Sequence, residues 1–442
     1  AYEISRSDWS SDVCSSDLQT TLRDLAGWSS VRDYWFPNIR SLPGAIFVLS
    51  LTLYPYVYLL ARAAFRELPA SGQDVARSLG LGHMRQFLRV SLPQARPAIA
   101  AGTAIVMMET LNDFGTVDYF AVQTLTTGIF SIWLESYDPG GAAQLAVLAA
   151  LIVAGLLGVE KIGRRRARFH KSGRQLAPIQ PQPLSSRQGA AVLLYCLVPM
   201  GLGFLIPLMV LVAPVVSDLS LWSDTGLWRA AAHSLALGGA SAGLVVTLAT
   251  VMVLGLQKTP AAWKKSLLTL TTVGYAFPGA VLGLGILIPL ATFDNWLADL
   301  VFATFRRDPG LLLTGSAGAL IVAYCVRFFA IGVGAAEAGL AAISTNIPLA
   351  ASTLGRGPKD VLVNIYQPLM RGSLASAMVL VFVDTVKELP ATLLLRPFNF
   401  DTLSTHVYAQ ASLENFHGST PAALLIITLS LGAIFLLAKA HR

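Results

Sequence analysis

DVARSLGLGHMRQFLRVSLP at residues 74–93 and LAASTLGRGPKDVLVNIYQP at residues 349–368 align without a gap at a shift of 275. Ala76 falls on Ala351, Leu79 on Leu354, Gly80 on Gly355, Val90 on Ile365 and Pro93 on Pro368. The register continues beyond the quoted stretches, placing Glu109 on Asp384, Thr110 on Thr385 and Asp113 on Glu388. After a three-residue insertion, Thr124-Leu125-Thr126-Thr127 falls on Thr402-Leu403-Ser404-Thr405. An internal repeat of this kind sets the architecture, because each copy must fold into a similar unit.

What flanks the repeated stretches is apolar. A membrane-crossing helix needs about 20 mainly apolar residues at 1.5 Å rise each. Nine segments satisfy that by inspection: 42–61, 97–117, 140–159, 189–216, 233–256, 266–292, 311–333, 372–395 and 420–438. The composition agrees: 442 residues are 54% hydrophobic and only 13% charged, with mean hydropathy +0.60. Soluble domains carry about 25% charged residues, so a water-soluble enzyme is excluded and an all-α polytopic membrane protein is predicted. Three cysteines, two of them in apolar runs, form neither a disulfide framework nor a metal-binding spacing.

The net charge of +7 is a topology signal. Connections 62–96, 160–188, 257–265, 334–371 and 439–442 hold 22 Lys and Arg, against 7 in 19–41, 118–139, 217–232, 293–310 and 396–419. Basic residues collect on the cytoplasmic side, so both repeated loops face the cytoplasm and no nucleic-acid partner is implied. The two copies therefore run in the same direction, as a parallel duplication about an axis along the membrane normal.

Domain organisation follows. Residues 5–18 form a Ser/Asp-rich block unlike the rest, and DWSSDVCSSDL at 8–18 resembles a translated sequencing adapter. It lacks the basic and apolar regions of a signal peptide. Residues 1–18, with Trp9 and Cys14, are thus expected to be non-native and without function. Residues 19–159 read as the C-terminal part of a first repeat, 160–188 as a polar cytoplasmic linker, and 189–442 as a second repeat with six helices. Ala351 lies 162 residues after 189, whereas Ala76 lies only 75 after residue 1. The first repeat is accordingly expected to lack three helices, leaving nine spans of twelve.

The repeated loop has the chemistry of a docking element. Small residues permit close approach, Gly allows a turn with positive φ, and Pro separates one helix from the next. The spacing A-x3-G-x9-[I/V]-x-[L/Q]-P resembles the "EAA" cytoplasmic loop of binding-protein-dependent ABC importer permeases, here in a fused, duplicated form. The resemblance covers essentially 42–442 and implies a type I importer permease fold in the bacterial inner membrane. It also implies that each loop is a coupling helix seated in a separate ATPase subunit, two copies in all, and that an extracytoplasmic binding protein delivers the cargo. Asp74, Ala76, Gly80 and Pro93 match in the first loop, and Ala350, Ala351, Gly355 and Pro368 in the second. Departures are Asp74-Val75 for Glu-Ala, Leu349 for the acid and Gln367 for Leu. The chain has no G-x-x-x-x-G-K-[ST], so no phosphate-binding loop of that type is present. ATP and Mg are expected on the partner, with no cofactor on this chain.

Residues 109–133 and 384–408 are similar to ferric-iron importer permeases, which implies ferric iron as cargo. Glu109 with Asp113, and Asp384 with Glu388, are spaced as i,i+4 neighbours, and like charges at that spacing repel. They need water, protonation, a cation or a base such as Lys387. With a helix starting near 97, Glu109 would sit about 18 Å from its cytoplasmic end. Four carboxylates could then line the outer part of one pathway, and Fe³⁺ favours oxygen ligands. The alternatives are solvated ends of tilted helices, or a structural Asp384–Lys387 pair. Arg327 either snorkels to an interface or pairs with an acid, and His406 and Tyr408 read as surface residues rather than iron ligands. No metal site is assigned. Thiamine, a polyamine or an organophosphonate are alternative cargoes. An ion-gradient-driven secondary transporter is the rival from another class, disfavoured because it needs no docking loops. No nucleophile or metal-ligand motif points to an enzyme.

Overall fold

The computed structural model describes residues 39–68, 70–166, 185–306, 309–344 and 346–440. The adapter-like stretch with Trp9 and Cys14, residues 19–38 and linker residues 167–184 lie outside the described residues. Every regular element among the described residues is helical. In chain order they are α1 (Leu42–Arg66), α2 (Ala70–Ser78), α3 (His83–Gln86), α4 (Leu92–Asn112), α5 (Gly115–Tyr119), α6 (Leu125–Leu134) and α7 (Pro139–Arg166). Then come α8 (Ser186–Met200), α9 (Ile206–Ser217), α10 (Thr225–Gly255), α11 (Ala261–Ala276), α12 (Gly279–Phe305) and α13 (Ala317–Ala341). The remainder are α14 (Asn346–Thr353), α15 (Pro358–Val361), α16 (Gln367–Val386), α17 (Pro390–Leu395), α18 (Leu403–Ser412) and α19 (Phe416–Ala440).

Element boundaries recur at the sequence offset. Helices α1 and α13 both have 25 residues and start 275 apart, and α3 and α15 span four residues each at the same offset. Helices α4 and α16 begin 275 apart, as do α5 and α17. After the insertion, α6 and α18 start 278 apart, each with ten residues.

Three π-helical turns, Phe87–Ser91, Gly201–Leu205 and Leu362–Tyr366, each end two residues before a proline: Pro93, Pro207 and Pro368. Proline lacks an N–H and its ring crowds the carbonyl four residues back. The turn before it widens instead of breaking.

Eight helices among the described residues are long and apolar enough to cross a membrane. The expected span 97–117 is the 21-residue α4, which starts and ends five residues earlier and is not among the eight. The expected single span 266–292 divides into α11 and α12. Phe277 is extended (φ −78°, ψ 143°) because the residue before Pro278 is disfavoured in a helix. The expected 372–395 span likewise stops at Val386, and α17 is separate.

The described residues form two compact units, one within 39–128 and 151–210 and the other within 129–150 and 211–440. In the first, α1 packs along α4, so closely that a Cβ on Gly102 would lie 2.8 Å from Val57 Cα. In the second, α10, α13 and α16 pack together around a core of Leu237, Val245, Leu320, Tyr324, Phe328 and Val381.

Candidate functional site

Helices α2 and α14 end in the same cap. Leu81 N–H donates to Ala76 O (3.0 Å) and Gly80 N–H to Arg77 O (2.9 Å); Arg356 donates to Ala351 O (3.1 Å) and Gly355 to Ser352 O (3.1 Å). This 6→1 plus 5→2 pairing is the Schellman motif, which needs a left-handed residue at its glycine position. Gly80 has φ +74° and Gly355 φ +78°. Ala76 and Ala351 are buried beneath their turns, whereas Leu79 and Leu354 at the tips are 74% and 82% exposed. Asp74 and Ala350 are exposed. Pro93 and Pro368 stand in the first turns of α4 and α16. The loops differ in one respect: Arg356 Nη1 lies 2.7 Å from Asp360 Oδ2 in the second, where the first has Leu81 and Arg85. The exposure of the two leucines went unnoticed in the sequence, although the repeat places them in register.

The carboxylates are arranged differently from expectation. Glu109 and Asp113 do not share a helix face, because α4 ends at Asn112 and Asp113 is extended (ψ 132°). Its Oδ1 accepts from Thr116 N (3.0 Å) and Val117 N (3.1 Å), and its Oδ2 from the Thr116 hydroxyl (3.0 Å). Asp113 thus caps the N-terminus of α5, where an acceptor satisfies otherwise unpaired amides. Because α4 starts at Leu92 rather than near 97, half-buried Glu109 lies about 26 Å along it at 1.5 Å per residue. The acids therefore stand close to the C-terminal end of α4.

Asp384 and Glu388 are separated in the same way, since α16 ends at Val386. Glu388 Oε1 accepts from Ala391 N (3.2 Å) at the start of α17, the position that matches Asp113 and Thr116. Unlike Asp113, Glu388 has a cation against it: Arg327 Nε of α13 lies 3.1 Å from Oε2, with the side chains 12% and 6% exposed. Arg327 also lies 5.7 Å from the Phe328 ring centre. A Cβ at Gly279, the first residue of α12, would stand 2.5 Å from Glu388 Oε1 and 2.7 Å from Arg327 Nη1. Glycine lets that helix end approach the pair without displacing either side chain. Thr392 Oγ1 donates to Glu388 O (2.7 Å) and meets Tyr324 Oη at 2.6 Å, and the Ser404 hydroxyl donates to Glu388 O (2.8 Å). Lys387 Nζ pairs with Asp384 Oδ1 at 2.9 Å.

Both acids of the second repeat are thus neutralised by a base. The equivalents of Arg327 and Lys387 in the first repeat are Thr52 and Asn112. Gly279, Tyr324 and Thr392 escaped the sequence reading, and Ser404 entered it only as part of the repeat; the Pro278-Gly279 pair inside an apolar run was the available signal. The repeated Thr-Leu-[Thr/Ser]-Thr is a cap: Thr124 N–H donates to Thr127 Oγ1 (2.8 Å) and Thr402 N–H to Thr405 Oγ1 (2.9 Å). His406 is buried, not a surface residue, with Nε2 3.8 Å from Asp224 Oδ2 at the start of α10. Tyr408 is half-buried. Among the described residues no group of three or more His, Cys, Asp or Glu could hold a metal ion.

Residues 34–168 match the family described as binding-protein-dependent transport system inner membrane component. Over 405 residues the chain is 27% identical to the Fe(3+)-transport system permease protein FbpB 2 of Haemophilus influenzae, covering 90% of this chain and 76% of that protein. It is 26% identical over 131 residues to the sulfate transport system permease protein CysT of Salmonella typhimurium, covering 28% and 47%. It is 27% identical over 134 residues to the molybdenum transport system permease protein ModB of Escherichia coli, covering 28% and 58%. A bacterial transporter importing the acidic polysaccharide alginate has a chain of TM-score 0.46 and 14% identity, covering 58% of this chain and 96% of that one. The family match covers under a third of the chain, and the relatives are permeases for several substrate classes.

Proposed function

We propose that the chain is the permease of a ferric-iron importer, built from two parallel repeats whose loops 74–93 and 349–368 each dock a separate ATPase subunit. Support for the cargo comes from the iron-transport relative, whose similarity runs over 90% of the chain, against 28% for the sulfate and molybdenum permeases. The Asp113 carboxylate at the end of α4 supplies a negative charge and oxygen donors, which suit a cation better than an oxyanion. Hard Fe³⁺ prefers such oxygen donors.

In this reading each loop transmits motion as a rigid unit. The Schellman cap fixes the tip, the exposed leucine enters the ATPase, and the helix beyond the π-turn carries the displacement toward the capped carboxylates at its far end. Closure of the ATPases on ATP opens the pathway outward to receive cargo from the binding protein, and hydrolysis resets it.

The test is uptake of radiolabelled ferric iron by cells making the transporter with its ATPase and binding protein, with unlabelled thiamine, polyamine, organophosphonate, molybdate or sulfate as competitors. ATP-dependent uptake that ignores all five is expected. Absence of iron uptake with an ATPase that still co-purifies would discard the cargo and keep the permease. Uptake persisting without the ATPase would instead establish an ion-gradient carrier.

A further inference from the structure

The three-residue insertion that separates the two repeats falls between α17 and α18, in a connection that the Lys/Arg distribution assigns to the outer side. In the first repeat four residues, 120–123, join α5 to Thr124; in the second, seven residues, 395–401, cover the equivalent path to Thr402. The added length carries Phe398, whose side chain is 101% exposed. A single exposed apolar residue is ordinary on a protein surface. What sets Phe398 apart is that the loop beneath it is anchored on both sides.

Phe400 N–H donates to Pro397 O (3.2 Å), closing a turn with Phe398 and Asn399 at its tip, and Asn399 takes φ +57°. Asparagine tolerates that left-handed conformation. Arg396 and Asp401, at the two ends of the loop, form an ion pair. Phe400 stacks on His233 of α10, with ring centres 3.9 Å apart and planes within 9°, and His233 Nδ1 meets Asp401 O at 3.0 Å. Leu403 N–H donates to the Ser234 hydroxyl at 2.7 Å. One phenylalanine of the turn is thereby locked against the body while the other projects. A rigidly presented aromatic side chain gives large contact area at small entropic cost, the property of interface anchors.

We propose that Phe398 is an anchor that engages the incoming extracytoplasmic binding protein, seating in an apolar pocket on that partner. The proposal rests on the importer reading. A binding protein with no two-fold symmetry has two near-equivalent ways of sitting on a pair of related repeats. A projecting residue on a loop extension that the first repeat's 120–123 connection lacks removes that degeneracy, because the opposite orientation leaves the aromatic ring in water and the pocket unfilled. The Arg396–Asp401 pair at the base of the turn supplies a polar rim to the contact.

The experiment uses the complete transporter, with its ATPase, reconstituted in nanodiscs, and the binding protein that stimulates ATP hydrolysis by the wild-type complex. Phe398→Ser is expected to weaken binding-protein affinity at least tenfold, with ATPase co-purification and basal hydrolysis unchanged. Affinity within twofold of wild type would overturn the proposal. A second readout places a bimane label on Phe398→Cys in a background without the native cysteines. A blue shift on adding the binding protein supports the anchor. Emission insensitive to the binding protein but quenched by brominated lipid overturns it in favour of a membrane contact. Loss of the ATPase from the wild-type complex would overturn the importer reading itself, and the anchor with it.

Discussion

Arg327 and Glu388 meet at 3.1 Å with their side chains almost completely buried, joining α13 to the break between α16 and α17. Glu388 does two things at once, since its other carboxylate oxygen caps α17. An ion pair taken out of water is costly to break, because removing one partner strands the other. Its role is to hold the interrupted helix in one arrangement, and Thr392, Tyr324 and Ser404 complete the hydrogen bonding around it.

Arg327→Met alone is expected to destabilise the protein by about 3–5 kcal/mol, the usual cost of an uncompensated buried charge. The double variant Arg327→Met with Glu388→Gln should recover most of that loss, since glutamine keeps an acceptor for Ala391 N. Thermal unfolding of the four members of the cycle in nanodiscs measures the coupling, and strict additivity would refute it.

Gly279→Ala should be damaging for a steric reason. The new Cβ would stand 2.5 Å from Glu388 Oε1 and 2.7 Å from Arg327 Nη1, and forced overpacking costs about 1–3 kcal/mol. Gly285→Ala in the same helix meets nothing within 4 Å and should leave the melting temperature unchanged or higher. Equal melting temperatures for the two variants would show that the close approach is not tight.

The double variant Leu79→Asp with Leu354→Asp should abolish ATPase co-purification while leaving membrane insertion and unfolding temperature intact. Both leucines are exposed at the loop tips, so the isolated fold loses no packing. Normal co-purification would remove the loops from the docking surface. Gly80→Asp and Gly355→Asp should also prevent association, but with a stability loss, because a side chain at positive φ costs about 1–2 kcal/mol.

Asp113→Asn preserves an acceptor for the Thr116 and Val117 amides and removes the charge, with the Thr116 hydroxyl turning to accept from the new Nδ2 in place of donating to Oδ2. Stability should change by less than about 1 kcal/mol, the worth of a whole N-cap, while iron uptake slows and the ATPase stays coupled. Unchanged uptake would make the carboxylate a cap and nothing more.

Much of this arrangement was legible beforehand in particular residues. The pairing of Gly80 with Gly355 marked both left-handed turns, and Pro93 with Pro368 marked where α4 and α16 begin, because positive φ and a missing N–H are properties of the residue itself; the π-turns before the prolines were not foreseen. Pro278 marked the α11–α12 break, yet the apolar run around it read as one span. Composition is blind to where a helix stops; the residue before a proline is not. The acids were found, but their spacing suggested one helix face, since an i,i+4 pattern presumes an unbroken helix.

The sequence by itself determined the helical class with apolar segments of membrane-spanning length and the two loops in register, because hydropathy, repeat spacing and glycine geometry are local quantities summed along the chain. Only the tertiary structure decided that Glu388 is neutralised by Arg327, 61 positions away, that His406 is buried against α10, and that Phe398 projects while Phe400 is stacked down. Those outcomes depend on which helices pack together, and a desolvated charge or an exposed ring has no signature in the sequence until its neighbours across the fold are known.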